Sequence, residues 1–527
     1  MAQRAGWLAH CGRYVWFRAV CRQLSKLSQT EPITFLACRF KESRMSAPAR
    51  STPDHTGLKK DAIGWFGIFL MVITTNGPLT SMGGGVPVSI TLGNGIGLPG
   101  SYVVVCLAYL LFAIGFCAMT PYVENGGAFY AYITKGLGSV AGVGSACIAV
   151  LSYISILLAC YAMLGHFMQV MMAAMGIAAP WWIWALVCAV LAHLLCVRGI
   201  EFSGRLLLLL MLCEVGAILG ADVLELLRQH FTGAVVSFAP FWPQSVFTAG
   251  FGPSLIFVVA SFMGFETAAI YAQEARDPQR SVPRAMYFSI VFIGVLYAAS
   301  IFLMLNHFGV DHAVQVAAND PGGMWLSMFQ TLAGPTAARI GAVLVITSLF
   351  AAVLSFTNVV ARYWHALSMR GLVWTMLSRT HPRHRSPYVA SAITMCISCA
   401  LILMCAMAGL DPMLQALPWA SVPSAIGVLT CQVLAALAVA SFFRRHQSSV
   451  SAWRGLVAPV CSAVVLLYFL WQMIAHVQLL SGLPSVPSYL LAVSILIAGG
   501  LASFYACRLR RSSPDVFARL SELVKQQ

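Results

Sequence analysis

The chain has 527 residues, of which 59% are hydrophobic and only 9% are charged, and its formal net charge is +15. A soluble globular chain carries roughly 25% charged residues, so this chain has too few charges to cover a water-facing surface. The composition therefore excludes a soluble enzyme, a disordered chain and a disulfide-stabilised secreted module. It predicts an all-α integral membrane protein that lies in the lipid bilayer.

The apolar runs, separated by charges, Gly and Pro, predict twelve membrane-spanning helices of the length that a bilayer requires. In chain order they are Gly64–Leu92, Ser101–Met119, Val140–Met172, Trp181–Val197, Phe202–Leu226, Phe247–Tyr271, Ala285–Asn306, Ala338–Met369, Val389–Ala408, Met413–Phe443, Leu456–His476 and Tyr489–Cys507.

The segment before the first predicted span differs from the rest of the chain. Residues 1–60 are basic, and from Met45 to Lys60 they are rich in Ser, Ala and Pro, which predicts a disordered tail. No apolar run of signal-peptide length occurs there. We expect translation to begin at Met45. The alternative is a basic arm on the anionic inner leaflet.

The basic residues predict the orientation of the chain. With both termini in the cytoplasm, 30 of the 32 Lys and Arg residues lie on the inner side, and only Arg228 and Arg339 lie outside. This is the distribution of the positive-inside rule. The positive charge is therefore explained by membrane topology and does not indicate nucleic-acid binding. The same distribution predicts a multi-pass protein of the cell (inner) membrane.

The first predicted span is interrupted. Residues 76–87, NGPLTSMGGGVP, contain four Gly and two Pro. Gly lets the backbone leave the helix, and Pro removes a hydrogen-bond donor. Irregular backbone at membrane depth is tolerated only where it is buried in protein or lines a cavity. The pattern predicts a ligand-binding segment, and a kinked, closely packed helix is the alternative.

The sixth predicted span is interrupted in a similar way. Gly250, Gly252 and Pro253 loosen its start, and residues 261–267, SFMGFET, lie at and below its middle. The two interrupted helices begin two five-helix blocks, 61–227 and 247–443, and an odd number of spans inverts the second block. Paired interruptions in inverted repeats mark the midplane site of a transporter. Two additional helices (452–507) and a cytoplasmic tail (508–527) follow.

Three segments carry a family resemblance. Residues 264–266 (GFE) with 273–285 (QEARDPQRSVPRA) resemble the signature of the amino acid–polyamine–organocation permeases. Residues 121–132 (PYVENGGAFYAY) and the loop 368–387 are similar to two further segments of that family. The resemblance covers about residues 61–507. It implies a leucine-transporter-like five-plus-five inverted-repeat fold that moves an amino acid or amine by alternating access.

The two breaks offer contacts to both charged groups of an amino acid. Free N–H groups at the start of a half-helix favour a carboxylate, and the carbonyls at a half-helix end favour a cation. Neither break contains Lys or Arg, and aromatic residues stand in the second, which favours a neutral or apolar amino acid. The predicted substrate contacts are Gly77, Thr80, Ser81, Gly83, Gly84, Ala260, Phe262 and Gly264.

Glu214 and Glu266 lie deep in predicted spans, where a carboxylate is a functional candidate by default. A protonated, locally hydrogen-bonded Glu is the alternative for each. Ser355 and Thr357 supply oxygens where sodium-coupled relatives hold their ion. Because burial disfavours the charged form of a carboxyl group, we expect Glu214 to carry a coupling proton, in preference to sodium.

The sequence therefore predicts a secondary amino-acid transporter driven by protons or by exchange. A polyamine or other amine carrier of the same family is one alternative. A membrane sensor that keeps the fold without transport is another. The sequence contains no nucleophile, metal or cofactor motif, which argues against an enzyme.

Overall fold

The computed structural model describes residues 64–123, 128–198, 200–273, 275–369, 371–382, 384, 386–446 and 450–512. The predicted N-terminal tail, including Met45, and residues 513–527 lie outside the described residues. Within the described ranges the chain forms helices and no β-strand. This confirms the predicted all-α fold class.

The helices of the N-terminal part follow the predicted order. They are α1 (Trp65–Asn76), α2 (Val86–Leu92), α3 (Leu98–Met119), α4 (Ala128–Leu137), α5 (Ser139–Ala174), α6 (Trp181–Val197) and α7 (Ile200–Thr232). Helices α1 and α2 are the two parts of one interrupted span.

The remaining helices continue this order after a connection at residues 233–250. They are α8 (Phe251–Phe262), α9 (Pro278–Phe308), α10 (Met324–Met369), α11 (Tyr388–Met407), α12 (Leu417–Arg445), α13 (Ala458–Ala475) and α14 (Ser485–Ser512). A 3-10 segment, Phe265–Gln273, follows α8, and α10 is broken at Gly334, where φ is 85°.

The helices have the length and composition of membrane spans. Nine helical segments in the described part of the chain are long and apolar enough to cross a bilayer. Helix α6 is shorter, and α7 carries acidic residues beside exposed leucines such as Leu209 and Leu219. Helix occupies part of every predicted span, and the number of crossings stays a prediction.

The basic segment between the sixth and seventh predicted spans is helical. Residues 278–284 form the start of α9. Pro278 takes the first helical position, where its missing N–H leaves no hydrogen bond unmade. Arg280 pairs with Asp277 at 3.8 Å on an exposed surface, and such a pair contributes little to stability.

The orientation of α12 is fixed at both its start and its middle. A π-helical turn, Pro412–Ala416, leads into it, and the Asp411 carboxylate caps this turn by accepting the N–H groups of Met413 at 2.9 Å and Leu414 at 2.7 Å. Further along, Gly427 lies against α5 so closely that a Cβ would be 2.1 Å from the Ser152 hydroxyl.

Candidate functional site at two helix breaks

The first break turns at Gly77, between α1 and α2. Its φ of 55° is left-handed, a conformation that glycine adopts without steric cost. Pro78 begins a short helical turn, Pro78–Thr80, and a π-helical turn, Ser81–Gly85, leads into α2. The carbonyl end of α1 and the N–H end of the next segment therefore meet inside the protein.

Four of the predicted contact residues, Thr80, Ser81, Gly83 and Gly84, lie beyond this turning point. Gly83 and Gly84 belong to the π-helical turn. A Cβ on Gly84 would lie 2.2 Å from Met163 Cε on α5, and a Cβ on Gly83 would lie 3.2 Å from Val345 Cγ1 on α10. The structure gives both glycines a packing role, and their contact with a ligand stays a prediction.

The second break follows α8. Helical geometry ends at Met263, where ψ is 131°, and Gly264 has a φ of 114° before the 3-10 segment begins. The Gly264 carbonyl accepts the Thr267 N–H at 2.9 Å and the Thr267 hydroxyl at 2.5 Å. These two bonds fix the direction in which the chain leaves the break.

The two breaks lie directly against each other. A Cβ on Gly264 would be 2.9 Å from Thr75 Cγ2 and 3.7 Å from the Asn76 side-chain nitrogen, at the end of α1. Gly264 is thus required both by its backbone angle and by the absence of room for a side chain. The predicted pairing of the two interruptions is therefore present in the fold, although 187 residues separate Gly77 from Gly264 in sequence.

Glu266 supports the second break. Its fully buried carboxylate accepts the Gly264 N–H at 3.0 Å and a hydrogen bond from the Tyr153 hydroxyl on α5. The carboxylate holds the backbone of its own break and ties it to α5.

Glu214 performs a similar role at the first break. Its buried carboxylate accepts the Ser348 hydroxyl of α10 at 2.6 Å and faces the Leu79 N–H. Ser348 Oγ in turn accepts the Thr80 N–H at 3.1 Å and lies 3.0 Å from the Thr80 hydroxyl. Glu214 therefore places a negative group at the N–H end of the segment that follows Gly77.

The predicted oxygen ligands on α10 are not brought together. Ser355 reaches the first break and donates to Thr75 Oγ1 at 3.1 Å. The Thr357 hydroxyl bonds back to the Val353 carbonyl at 2.7 Å. Positions two residues apart in a helix are rotated by about 200°, so Ser355 and Thr357 point to different neighbours.

Aromatic side chains enclose the second break. Phe262 is fully buried and its ring lies 5.3 Å from the Tyr109 ring and 6.1 Å from the Tyr102 ring, both on α3. The Tyr102 hydroxyl pairs with Ser261 at 2.9 Å. Ala260 is half-buried in the last turn of α8. The predicted aromatic wall is therefore larger than its own segment, because α3 contributes two tyrosines.

Several buried polar atoms around the breaks have no hydrogen-bond partner in the described part of the chain. They are Asn76 Oδ1, the Tyr109 and Tyr363 hydroxyls, and both amide atoms of Gln432. Buried polar groups are normally paired with protein or water, so this interior suits a polar ligand or water. Among the described residues, no group of three or more His, Cys, Asp or Glu side chains is placed to hold a metal ion.

Two further buried acids on α7 are not among the predicted site residues. Asp222 and Glu225 are 7% and 0% exposed, and both lie within the predicted span Phe202–Leu226. Their spacing from Glu214, eight and eleven residues, places all three on one helical face. That periodicity was visible in the sequence and would have identified them.

A family model described as amino acid permease matches residues 79–506. The match extends from the first break to α14 and so includes most of the described helices. The sequence resemblance to this group of permeases is confirmed.

Three relatives agree with the family match. The chain is 27% identical over 241 residues to the branched-chain amino acid permease BcaP of Bacillus subtilis (strain 168), covering 44% of this chain and 46% of the relative. It is 22% identical over 301 residues to the low-affinity putrescine importer PlaP of Escherichia coli (strain K12), covering 55% and 63%. It is 28% identical over 188 residues to the aromatic amino acid permease FywP of Lactococcus lactis subsp. cremoris (strain MG1363), covering 33% and 40%. The matched segments span less than two thirds of each relative.

Proposed function

This chain belongs to the amino acid permease family, and from that membership we propose that it carries a neutral or apolar amino acid across the cell membrane by alternating access, driven by protons. In this proposal both termini lie in the cytoplasm, as the distribution of Lys and Arg predicts. The substrate binds between the two breaks, and Glu214 couples its binding to a proton.

The position of Glu214 carries the proposal. Its carboxylate occupies the N–H end of the segment after Gly77, through Leu79 and through Ser348 to Thr80. Such a helix start favours one anion, so a substrate carboxylate competes with Glu214 for it. A proton on Glu214 removes the negative charge and frees the N–H groups. Proton and substrate then bind cooperatively, and each increases the affinity for the other.

The opposite end of the site suits an ammonium group. The carbonyl end of α1 carries partial negative charge, and Asn76 Oδ1 is a buried acceptor without a partner among the described residues. An α-amino acid carries its carboxylate and its ammonium on the same carbon. The carbonyl end of α1 and the start of the next segment are joined by Gly77 alone, and the second break contacts this region through Gly264 and Thr75.

The surroundings support an apolar side chain. Phe262, Tyr102 and Tyr109 supply aromatic surface, and neither break contains Lys or Arg. Two of the relatives are named for branched-chain and aromatic amino acids. Leucine and phenylalanine are therefore the first substrates to test.

The test uses the full chain in proteoliposomes with labelled leucine and phenylalanine, under imposed pH or sodium gradients. We expect a pH gradient to drive accumulation without sodium. Glu214→Gln should retain leucine exchange and lose pH-driven accumulation. Cys213→Ser, a change at the exposed neighbouring residue, is the matched control. Accumulation that persists in Glu214→Gln, or that requires sodium, contradicts the proposed coupling.

A polyamine carrier is the second candidate, because the match to the putrescine importer covers the largest share of this chain among the three relatives described above. Putrescine has no carboxylate to compete with Glu214. Competition by putrescine stronger than that of every amino acid would favour this alternative. Binding of leucine without any exchange would instead favour a sensor.

A further inference from the structure

Helix α7 has two contrasting faces. Leu212, Leu219 and Val223 are exposed, as expected of side chains that contact lipid. The opposite face is buried and carries Glu214 and the two acids that follow it. Three carboxylates on the interior face of one membrane helix are costly to bury and mark a functional path by default. Only the first of them lies at the breaks.

Asp222 is the middle acid and is incompletely paired. It is 7% exposed, and its Oδ2 accepts the Ser300 hydroxyl of α9 at 2.6 Å. Its Oδ1 is buried and has no hydrogen-bond partner in the described part of the chain. An ionised carboxylate with an unpaired buried oxygen and no counter-charge is unstable in this setting. A bound proton removes that charge.

Titratable groups lie near Asp222 on two helices. On α7 the next turn brings Glu225 and Arg228, and on α9 the nearby titratable side chains are Tyr297 and His307. Helices α1 and α10 also pack against α7. Arg339 of α10 is exposed, and Ser300 is the side chain that contacts Asp222.

Glu225, unlike Asp222, is fully satisfied. It accepts Arg228 Nε at 2.8 Å and Nη2 at 2.6 Å, Gln229 Nε2 at 2.8 Å and His307 Nδ1 at 2.7 Å. The Arg228 guanidinium balances its charge, so Glu225 stays ionised and positions His307. His307 lies in the last turn of α9, next to the end of the span.

We propose that Asp222 is an intermediate proton carrier between the outer end of α9 and Glu214. The inference rests on the proposed proton-coupled transport and adds a second carboxylate to it. Asp222 is about 4.5 Å along the helix from Glu225 and about 12 Å from Glu214, from a rise of 1.5 Å per residue. The proton transfer to Asp222 from the level of Glu225 is therefore short. The transfer from Asp222 to Glu214 requires a chain of water molecules beside Tyr297. The Tyr297 hydroxyl reaches the first break by donating to the Pro78 carbonyl at 3.4 Å.

The proton transfers balance at each step. A proton from outer water, entering beside the Glu225–His307 pair, binds Asp222 Oδ1 and forms a neutral carboxyl group. Asp222 then releases the proton through water to Glu214, is transiently ionised, and is protonated again from the outer water. Glu214, now neutral, releases the N–H groups of the first break. When Glu214 passes the proton to the inner side, it is ionised again and accepts the N–H groups of the first break as before.

The experiment measures substrate and proton movement separately. Proteoliposomes of the full chain contain a pH-sensitive dye, and unlabelled leucine is added outside. Leucine exchange is measured in parallel without a pH gradient. Asp222→Asn keeps the shape and the Ser300 contact but cannot carry a proton. Ser300→Ala removes that hydrogen bond but keeps the carboxyl group, so it is the control for a purely structural role of the Ser300–Asp222 pair.

We expect leucine to acidify the lumen with the unaltered chain. Asp222→Asn should retain exchange and lose roughly 100-fold in acidification rate, the smaller end of what positioned proton transfer contributes. Ser300→Ala should keep both leucine exchange and acidification of the lumen. Acidification that persists in Asp222→Asn overturns the inference. Loss of exchange in both variants also overturns it, because the role is then structural. If the unaltered chain exchanges leucine without moving protons, the proposed coupling itself fails, which these data distinguish.

Discussion

Substitution of Gly264 tests whether contact between the two breaks stabilises the fold. An alanine there would take a φ of 114°, and its Cβ would lie 2.9 Å from Thr75 Cγ2. The unfavourable backbone costs about 1–3 kcal/mol, and overpacking costs about 1–3 kcal/mol more. The sum is at least about 2 kcal/mol, which corresponds to a change of roughly 30-fold in the population of the state with the breaks in contact.

The assay combines thermal unfolding in detergent with leucine exchange in proteoliposomes. We expect Gly264→Ala to lower the apparent Tm and to slow exchange. Gly85→Ala is the matched control, because Gly85 has a φ of −63° and nothing within 4 Å of an added Cβ. It should be neutral or stabilising, since alanine is favoured over glycine within a helix by about 0.5–1 kcal/mol.

A second variant separates the two causes. Thr75→Ser removes the Cγ2 methyl group but keeps the hydroxyl that accepts from Ser355. In the Gly264→Ala background it should restore the part of the loss that comes from the close contact, and leave the backbone strain. Gly264→Ala with unaltered Tm and exchange would refute the reasoning. Failure of Thr75→Ser to restore stability would refute the contact argument alone.

Three further substitutions test individual residues of the site. Glu266→Gln keeps the shape but weakens a charged hydrogen bond worth about 1.5–3 kcal/mol; turnover measured by exchange should fall more than leucine affinity, and an unchanged turnover contradicts this. Gly84→Leu should displace Met163 and abolish leucine binding in a scintillation assay while membrane insertion is retained; normal affinity would show that the π-helical turn tolerates the side chain. Ser355→Ala should leave sodium-free, pH-driven uptake intact. If uptake proves to need sodium and this variant loses it, Ser355 belongs to an ion site.

The membrane helices could be predicted from the sequence because the bilayer imposes a simple rule. A span needs about 20 apolar residues, and α6 was predicted with its observed bounds, Trp181–Val197. Both interruptions were also predictable, since Gly and Pro stand where a helix should be smooth. The rule fails at helix ends, and α9 begins seven residues before its predicted start at Ala285.

The exact turning point of the first break could not be predicted. Glycine shows only that the backbone is free to turn, and residues 77–85 contain four of them. The structure turns at Gly77, because Pro78 follows it, and uses Gly84 to admit Met163. Whether a glycine turns the backbone or makes room for a side chain depends on neighbours that are distant in sequence.

The hydrogen-bond partners of the buried acids also could not be predicted from the sequence. Glu214 was identified from its depth, but its bond to Ser348 joins residues 134 positions apart. Glu266 was also identified from its depth, but its bond with Tyr153 joins residues 113 positions apart. Depth in the membrane can be predicted from a run of apolar residues, whereas the direction of a side chain depends on packing.

The start of α12 has a consequence for how this chain tolerates insertions and deletions. The turn Pro412–Ala416 is π-helical and therefore holds one residue more than an α-helical turn would. Deletion of one residue there would rotate the remainder of α12 by about 100°. Gly427 would leave its place against Ser152, and larger side chains of α12 would meet α5. Homologous chains should therefore vary in length before Asp411 or after Arg445, and keep the number of residues between them.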